Sequence, residues 1–262
     1  MPFAAWLGDD FDLNALAMKN LNDYYLYLRA RPITSTTLQS YIRGIRAFLT
    51  WCYQEEYLTI DFPAKFRLPK AQRKSIDVLT DQEIHTLFRC LSRSVAVLRL
   101  RDKSICALML DSGLRKGEVV SLRLSSLHIP EGYVIVDGKG NKQRIVPLGL
   151  ITRKTLLKYL SKRPSVPLCE TLFLTDDLRP ITDNTVKFIF QRLKSATLIS
   201  RIRPHLLRHT FATRYLENGG NIYTLQQILG HTSLEMVKKY LHLTTSKNVK
   251  NFPDFSPLDN LL

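Results

Sequence analysis

Apolar residues recur at helical spacing over most of the first sixty residues of the chain. From about residue 12 to residue 57 this pattern predicts helices, and Pro32 divides them into two. The first helix is expected to bury a stripe made of Leu13, Leu16, Leu21, Tyr24, Tyr25 and Leu28. The second is expected to take its N-cap from residues 34–37 and to bury Tyr41, Ile45, Phe48, Leu49 and Cys52.

A basic, proline-bearing stretch without apolar periodicity follows at residues 63–77. Such a composition is typical of an interdomain linker. Thr80 and Glu83 then form a capping-box pattern ahead of a new apolar run, which indicates where a second domain begins. We therefore predict a small helical domain at residues 1–66, a linker at 67–78 and a second domain at 79–262.

The second domain combines several helical segments with one pair of strands. An apolar helix is expected to end at Gly113, and a short helix after it should carry Glu118. Residues 133–148 contain two β-branched runs around a Gly- and Asn-rich turn, which predicts a β-hairpin. Further helices are expected at 152–159 and, capped by Thr182, at 183–193. The predicted fold class is α+β, mostly α with a small β-hairpin sheet, preceded by a small all-α domain.

Polar side chains are conspicuous in the last helical stretch, residues 203–242. Pro204 suits the first position of a helix, Gly219 and Gly220 end that helix, and Gly230 is expected to cap the next one. The three helical pieces carry five polar side chains of interest: His205, Arg208, His209, His231 and Tyr240.

These residue types suit phosphoryl transfer. An arginine binds phosphate through its planar fork and stays charged, and a histidine bonds phosphate or moves a proton near neutral pH. A tyrosine hydroxyl can attack phosphorus and hold the product as a phosphotyrosyl ester. Such a site requires another arginine and a general acid from elsewhere in the chain.

Two other interpretations stay open at this point. His205 and His209 lie four residues apart and could bind a metal ion, but the zinc-protease pattern has Glu where this chain has Leu206. Arg208 would also repel a cation, so no metal site is predicted. His209 and Tyr240 could instead be ordinary packed residues, and spacing alone does not decide between packing and catalysis.

The charge balance favours a polyanionic partner. The 262 residues include 38 Lys and Arg against 23 Asp and Glu, a net charge of +15. Such an excess binds nucleic-acid phosphates and releases counterions, although it indicates binding and not catalysis. The four cysteines form no CxxC pair, so neither a zinc knuckle nor a disulfide framework is expected. With no signal peptide and no long apolar run, the expected location is the cytoplasm, on the nucleoid, with no membrane partner.

Three motifs together resemble the tyrosine recombinases, the family that includes phage integrases and Xer-type enzymes. HLLRH, then LGH, then Tyr240 nine residues after His231, resemble the C-terminal signature of that family. GLRKGEV, with Arg115 and Glu118, is similar to its GxRxxE box, and GKGNKQR resembles the hairpin that carries a catalytic lysine. The resemblance covers most of the chain and implies a catalytic domain of the tyrosine-recombinase type behind the N-terminal DNA-binding domain.

The resemblance implies a role for each of these side chains. Tyr240 would attack a phosphodiester of duplex DNA, form a 3′-phosphotyrosyl bond and free a 5′-hydroxyl. Arg115 and Arg208 would neutralise the reacting phosphate. His205 would act as base or phosphate donor, and His231 would donate to a non-bridging oxygen. No cofactor, metal ion or ATP is expected.

Supporting residues follow from the same resemblance. Lys139 is the expected proton donor to the leaving 5′-oxygen, with Lys142 as its competitor, and Glu118 and His209 are expected behind the catalytic side chains. The predicted DNA contacts are Arg43, Arg46, Lys70, Arg73, Lys74, Lys142 and Arg144.

The expected partners are a specific duplex site, clamped by the two domains, and further copies of the chain in a tetrameric synapse. The apolar residues of segment 245–262 are expected to pack on a neighbouring protomer, with packing on their own domain as the alternative. Two other functions remain open: DNA relaxation of the type IB topoisomerase kind, and DNA binding without catalysis on the same fold. The target sequence, the need for accessory proteins and the choice among integration, excision and chromosome-dimer resolution also stay open.

Overall fold

The computed structural model describes residues 2–65, 77–93, 96–138, 143–231, 233–238 and 240. The chain divides into two compact units, Met1–Ser75 and Ile76–Leu262. The predicted linker at 67–78 lies almost entirely outside the described residues, so the domain boundaries drawn from the sequence stay predictions. Among the described helices, none is both long and apolar enough to span a membrane.

Every regular element in the described part of the first unit is a helix. Its helices are α1 (Pro2–Leu7), α2 (Met18–Ala30), α3 (Ser35–Gln54) and α4 (Phe62–Lys65), with a 3₁₀ turn at Leu13–Ala15. Thr34 caps α3 by accepting a hydrogen bond from the backbone N–H of Thr37 at 3.2 Å, which confirms the predicted start of that helix. The stripes that α2 and α3 bury against each other include Leu21, Tyr24, Leu28, Ile42, Ile45, Leu49 and Cys52.

Helix α1 was not predicted, because six residues are too few for a periodic pattern to appear. Aromatic contacts hold it on the unit. The rings of Phe3 and Trp6 lie 4.9 and 5.2 Å from the ring of Tyr24, measured between centroids. Tertiary packing therefore stabilises a helix that its own sequence would not.

The second unit is mostly α with a small sheet, which confirms the predicted fold class. Its elements in order are α5 (Asp81–Leu91), α6 (Val97–Asp111), α7 (Lys116–Ser121), β1 (Leu127–His128), β2 (Tyr133–Asp137), β3 (Gln143–Pro147), α8 (Leu150–Leu160), α9 (Asp183–Thr197), α10 (Pro204–Glu217), α11 (Ile222–Leu229) and α12 (Glu235–Lys238).

Capping residues fix where these helices begin. Thr80 and Glu83 form the predicted capping box, with Glu83 Oε2 2.8 Å from the Thr80 backbone N. Thr182 caps α9 in the same way, and Pro204 occupies the first turn of α10. An N-cap of this kind typically contributes about 1 kcal/mol.

The sheet is an antiparallel meander in the order β1-β2-β3. Val134 pairs with Val146 and Val136 with Arg144, so the predicted hairpin is confirmed. Strand alternation places Val134, Val136 and Val146 in the core. Arg144 is two residues from Val146 and therefore projects from the same, inward face of β3.

Helix α6 lies at the centre of the second unit. It is buried on nearly every side and packs against α5, α8 and α10. Helix α10 buries Leu206, Leu207 and Ala212 completely. Because both helices are held in the core, the chain that follows α6 and the polar residues of α10 are fixed relative to each other.

Candidate active site

Arg208 is the buried centre of the site. Its side chain lies on α10 and is only 6% exposed. One guanidinium nitrogen donates to the carbonyl of Gly113, just after α6, and the other donates to the carbonyl of Leu229 at 2.8 Å. The second nitrogen also lies 3.1 Å from Nε2 of His231. Carbonyls from the ends of two helices therefore hold this arginine.

Arg115 and Glu118 face each other across the first turn of α7. The carboxylate of Glu118 accepts from the Arg115 backbone N and from its Nη1, each at 2.8 Å. Arg144 adds a bidentate pair, with Nη1 2.8 Å and Nη2 2.9 Å from the two carboxylate oxygens. Burial by itself raises the pKa of Glu118, but the bonds from Arg144 and Arg115 outweigh it and hold this pKa below its usual value.

Three successive carbonyls at the C-terminal end of α11 each accept a hydrogen bond from one arginine, and we call them the α11 carbonyl cluster. Ile228 O accepts from Arg144 at 2.7 Å, Leu229 O from Arg208 at 2.8 Å, and Gly230 O from Arg115 at 3.3 Å. The last carbonyls of a helix have no partner within it, and they form the negative end of its dipole. The cluster therefore gathers three cations that would otherwise repel one another.

His231 follows directly on this cluster. Gly230 takes the left-handed conformation, φ 60°, which ends α11 as predicted and turns the chain. The backbone N of His231 donates to the carbonyl of Gln226 at 3.1 Å, and the Gln226 side chain returns a bond to the His231 carbonyl, also at 3.1 Å. Both contacts orient the imidazole toward Arg208.

Tyr240 lies inside the protein, 1% exposed. Its hydroxyl is 2.6 Å from Nδ1 of His209, the residue that follows Arg208 on α10. Burial raises the pKa of the phenol to about 12, against the opposing influence of the Arg208 charge. Burial, and then the charge of Arg115, lower the pKa of Arg208 to about 10, so this arginine is still protonated at neutral pH.

The structure thus brings together six of the fifteen residues singled out from the sequence. The constellation is made of Arg115, Glu118, Arg208, His209, His231 and Tyr240: the α11 carbonyl cluster links Arg115–Glu118 to Arg208–His231, and the His209–Tyr240 pair begins at the residue after Arg208. His205 lies one turn before Arg208 on α10, with its side chain exposed. On α3, Arg43 is exposed and Arg46 half-buried. The predicted residues Lys70, Arg73, Lys74, Lys139 and Lys142, and the segment 245–262, lie outside the described residues.

Arg144 is the residue whose placement differs from expectation. A phosphate contact was predicted for it, yet the structure directs its guanidinium into the protein, with the side chain 13% exposed. The reason is that Arg144 lies on the inward face of β3, two residues before the buried Val146. Strand alternation from the apolar Val146 already indicates this direction in the sequence. The α11 carbonyl cluster was not predicted either, because backbone acceptors leave no signature in residue types.

Metal-ligating groups do not gather within the described part of the chain: no three His, Cys, Asp or Glu side chains there are placed to share an ion. The polar groups of the constellation are instead arginine and histidine side chains, one phenol, and a carboxylate that is bonded to two arginines. Such a set suits an anion with several oxygens, and a phosphodiester is the anion that a nearby tyrosine hydroxyl can attack.

Comparison with known proteins leads to the same chemistry. Residues 77–247 match the phage integrase family. The tyrosine recombinase XerD of Staphylococcus saprophyticus is 32% identical over 88% of this chain and 80% of its own length. The crystal structure of XerA recombinase aligns over 98% of this chain and 89% of that one, at 25% identity and a TM-score of 0.60. XerH recombinase bound to its palindromic difH substrate aligns over 94% and 74%, with a TM-score of 0.79, and at 19% identity this likeness shows a shared fold. The chain belongs to the phage integrase family, the tyrosine recombinases.

Proposed function

We propose that this chain carries out site-specific recombination of duplex DNA, with Tyr240 as the nucleophile. Tyrosine recombinases are DNA strand-transferring enzymes, and the chain has the family's fold and sequence. The assignment of the site rests on two contacts. The Tyr240 hydroxyl bonds to His209, the neighbour of Arg208, and Arg208 contacts His231. A phenol and two kinds of phosphate donor therefore share one site.

In the proposed step, Oη of Tyr240 attacks the scissile phosphorus and forms a 3′-phosphotyrosyl ester. The bond from phosphorus to the 5′-oxygen breaks. The phenol proton passes to His205 as base, and Lys139 gives a proton to the leaving oxygen. The ester conserves the energy of the broken bond, so the 5′-hydroxyl of a second strand reverses the step without a nucleotide cofactor or a metal ion.

Arg115 and Arg208 would bind the non-bridging oxygens of the phosphate, and His231 would add a third donor. Fixed donors stabilise the charge of the transition state at little reorganisation cost, because the protein has oriented them beforehand. The α11 carbonyl cluster and the Gly113 carbonyl provide that orientation here.

Tyr240 has to be uncovered before it can react. Its hydroxyl is buried and bonded to His209, and a phosphorus atom needs an open, in-line approach. We infer that DNA binding displaces Tyr240 from His209 and brings the hydroxyl to the phosphate. His209 would then hold the nucleophile at rest and has no contact with the phosphate itself.

The duplex and further copies of the chain complete the proposal. The net charge of +15 and the arginines of α3 support a polyanionic partner along both units. Exchange of two duplexes requires several protomers, so a tetrameric synapse on the nucleoid, with segment 245–262 acting between protomers, is the proposed assembly.

A two-site plasmid tests this function. A duplex that the protein selects from a random-sequence library is placed twice in one plasmid, and the products are separated by size. Recombination predicts deletion circles or inversions whose junctions lie within the selected duplex. Supercoil relaxation without any recombinant would indicate a topoisomerase, and tight binding without strand breakage would indicate a non-catalytic binder.

A further inference from the structure

Arg144 makes contacts that reach across the site from the sheet. It lies on β3 opposite Val136, and its side chain passes between α7 and the end of α11. Nε donates to the Ile228 carbonyl at 2.7 Å, and the two Nη atoms donate to the two oxygens of Glu118 at 2.8 and 2.9 Å. All three nitrogens of the guanidinium are therefore bonded to protein atoms.

Through Glu118, Arg144 bears on the position of Arg115. The same oxygen, Oε1 of Glu118, accepts from Nη1 of both arginines at 2.8 Å. A carboxylate gripped bidentately cannot rotate without breaking two charge-assisted bonds, so its orientation, and with it the Arg115 guanidinium, is fixed. The side chain of Glu118 is only 6% exposed, and water cannot replace the lost partner.

Arg144 also supports the turn that carries His231, through its contacts with the end of α11. It occupies the first carbonyl of the α11 carbonyl cluster, while Arg208 and Arg115 occupy the next two. Its side chain also packs against Gly230, where an added Cβ would lie 3.1 Å from Cδ of Arg144. The turn that presents His231 therefore rests on this side chain.

We propose that Arg144 is a positioning residue for strand cleavage, which sets Arg115 through Glu118 and the His231 turn through Ile228, and that it makes no contact with DNA phosphate. This inference rests on the proposed function of the site. A phosphate contact would require the guanidinium to leave the buried Glu118 carboxylate, which would then lose its bidentate partner. The contacts within the protein therefore decide between the two roles.

Arg144→Lys and Arg144→Gln separate these roles, because lysine keeps the charge but cannot form the bidentate pair. The matched control is Arg123→Gln, which removes one positive charge from a side chain that is 66% exposed and 3.9 Å from Glu170. Melting curves are recorded first, and the variants that melt cooperatively are carried forward. Affinity for the library-selected duplex is then measured over a salt series, and cleavage is measured in single turnovers at saturating DNA.

The positioning role predicts that both Arg144 variants keep the wild-type affinity and salt slope but cleave about 100-fold more slowly, the effect of a catalytic group displaced by about 1 Å. Arg123→Gln should cleave at the wild-type rate. In a Glu118→Gln background, Arg144→Lys should add little further loss, because both changes break the same link.

A phosphate contact predicts the opposite pattern. Arg144→Lys would keep both the affinity and the cleavage rate near wild type, and Arg144→Gln would reduce the salt slope of binding by about one. That result overturns the inference, as does full additivity with Glu118→Gln. A loss of folding in both variants would also overturn it, since Arg144 would then act on stability alone. Failure of the wild-type protein to cleave contradicts the proposed function instead, while the salt slopes still decide whether Arg144 touches phosphate.

Discussion

Gly113 is the backbone position on which the placement of Arg208 depends most directly. It follows α6 with φ 66°, in the left-handed region, and its carbonyl accepts from the Arg208 guanidinium. A Cβ added there would lie 2.8 Å from Cε1 of Phe211 and 2.9 Å from Cδ2 of Leu229. Both neighbours are buried, so neither side chain has room to withdraw.

Gly113→Ala should therefore be costly in two ways. The left-handed conformation costs a residue with a Cβ about 1–2 kcal/mol, and overpacking of a dense core costs about 1–3 kcal/mol. The sum, about 2–5 kcal/mol, corresponds to a fall in Tm of about 5–15 °C for a unit of this size. Relief of the overlap should also move the Gly113 carbonyl away from Arg208 and slow DNA cleavage by the protein that remains folded.

Gly117→Ala is the matched control. Gly117 lies in α7, where no heavy atom would come within 4 Å of an added Cβ, and its φ is outside the left-handed region. Alanine is the better helix former by up to about 1 kcal/mol, so this variant should melt at or slightly above the wild-type Tm. Thermal melts of both variants, with cleavage measured well below their Tm, test the reasoning. Equal melting of Gly113→Ala and wild type would refute it.

Three other predictions concern proton transfer, helix capping and the phenol. Lys139→Ala should slow cleavage strongly, and a 5′-bridging phosphorothiolate, whose sulfur leaves without a proton, should restore much of the rate. If the phosphorothiolate rescues Lys142→Ala instead, Lys142 is the proton donor to the leaving oxygen. Asp111→Ala removes the carboxylate that accepts a hydrogen bond from Oγ1 of Thr152, 2.6 Å away at the start of α8. The variant should lower the free energy of unfolding by about 1–3 kcal/mol in a urea titration and leave the cleavage rate unchanged. An unchanged urea midpoint would contradict a stabilising role for Asp111. Because the pKa of Tyr240 is raised to about 12, its neutral form stabilises the fold fully below about pH 10, and this contribution is lost as the pH rises through 12. An ultraviolet difference titration of wild type against Tyr240→Phe should therefore show one phenol ionising near pH 12. Ionisation near pH 10 would contradict the burial argument.

Local signals in the sequence were sufficient for most of the secondary structure. The Thr80–Glu83 capping box, Pro204 at the start of α10 and Gly230 at the end of α11 each depend on residues close together in the chain. The hairpin at 133–148 follows from β-branched alternation in the same way. Three short elements, α1, α4 and β1, were not predicted, because they contain too few residues to display a period.

The sequence names candidate members of the site, but it does not show how they are held together. Motif spacing places Arg115, Arg208, His231 and Tyr240 in order along the chain, yet nothing in the residue types shows that the end of α11 binds three arginines. Those acceptors are backbone groups, and they come together only when α10, α11 and the sheet pack. The direction of Arg144 is encoded in the alternation of β3, although a phosphate contact was predicted for this residue.

The two units are stabilised by different interactions. In the first, aromatic and aliphatic packing between α2 and α3 leaves Arg43 on the surface. In the second, backbone carbonyls and one carboxylate bind arginine side chains when no phosphate is present. Preoriented cations of this kind favour a trigonal-bipyramidal phosphate over the ground-state diester.

Covalent trapping with Tyr240→Phe tests most directly whether Tyr240 is the nucleophile. The substrate is the library-selected duplex with a nick beside the cleavage point, so that a short 5′-hydroxyl fragment diffuses away and the protein stays attached. Wild type should form a covalent protein–DNA complex and Tyr240→Phe should form none, although the variant should bind the duplex with the wild-type affinity and melt cooperatively. Proteolysis of the wild-type complex should yield the DNA-linked peptide that contains Tyr240. A covalent complex with Tyr240→Phe would show that another residue is the nucleophile.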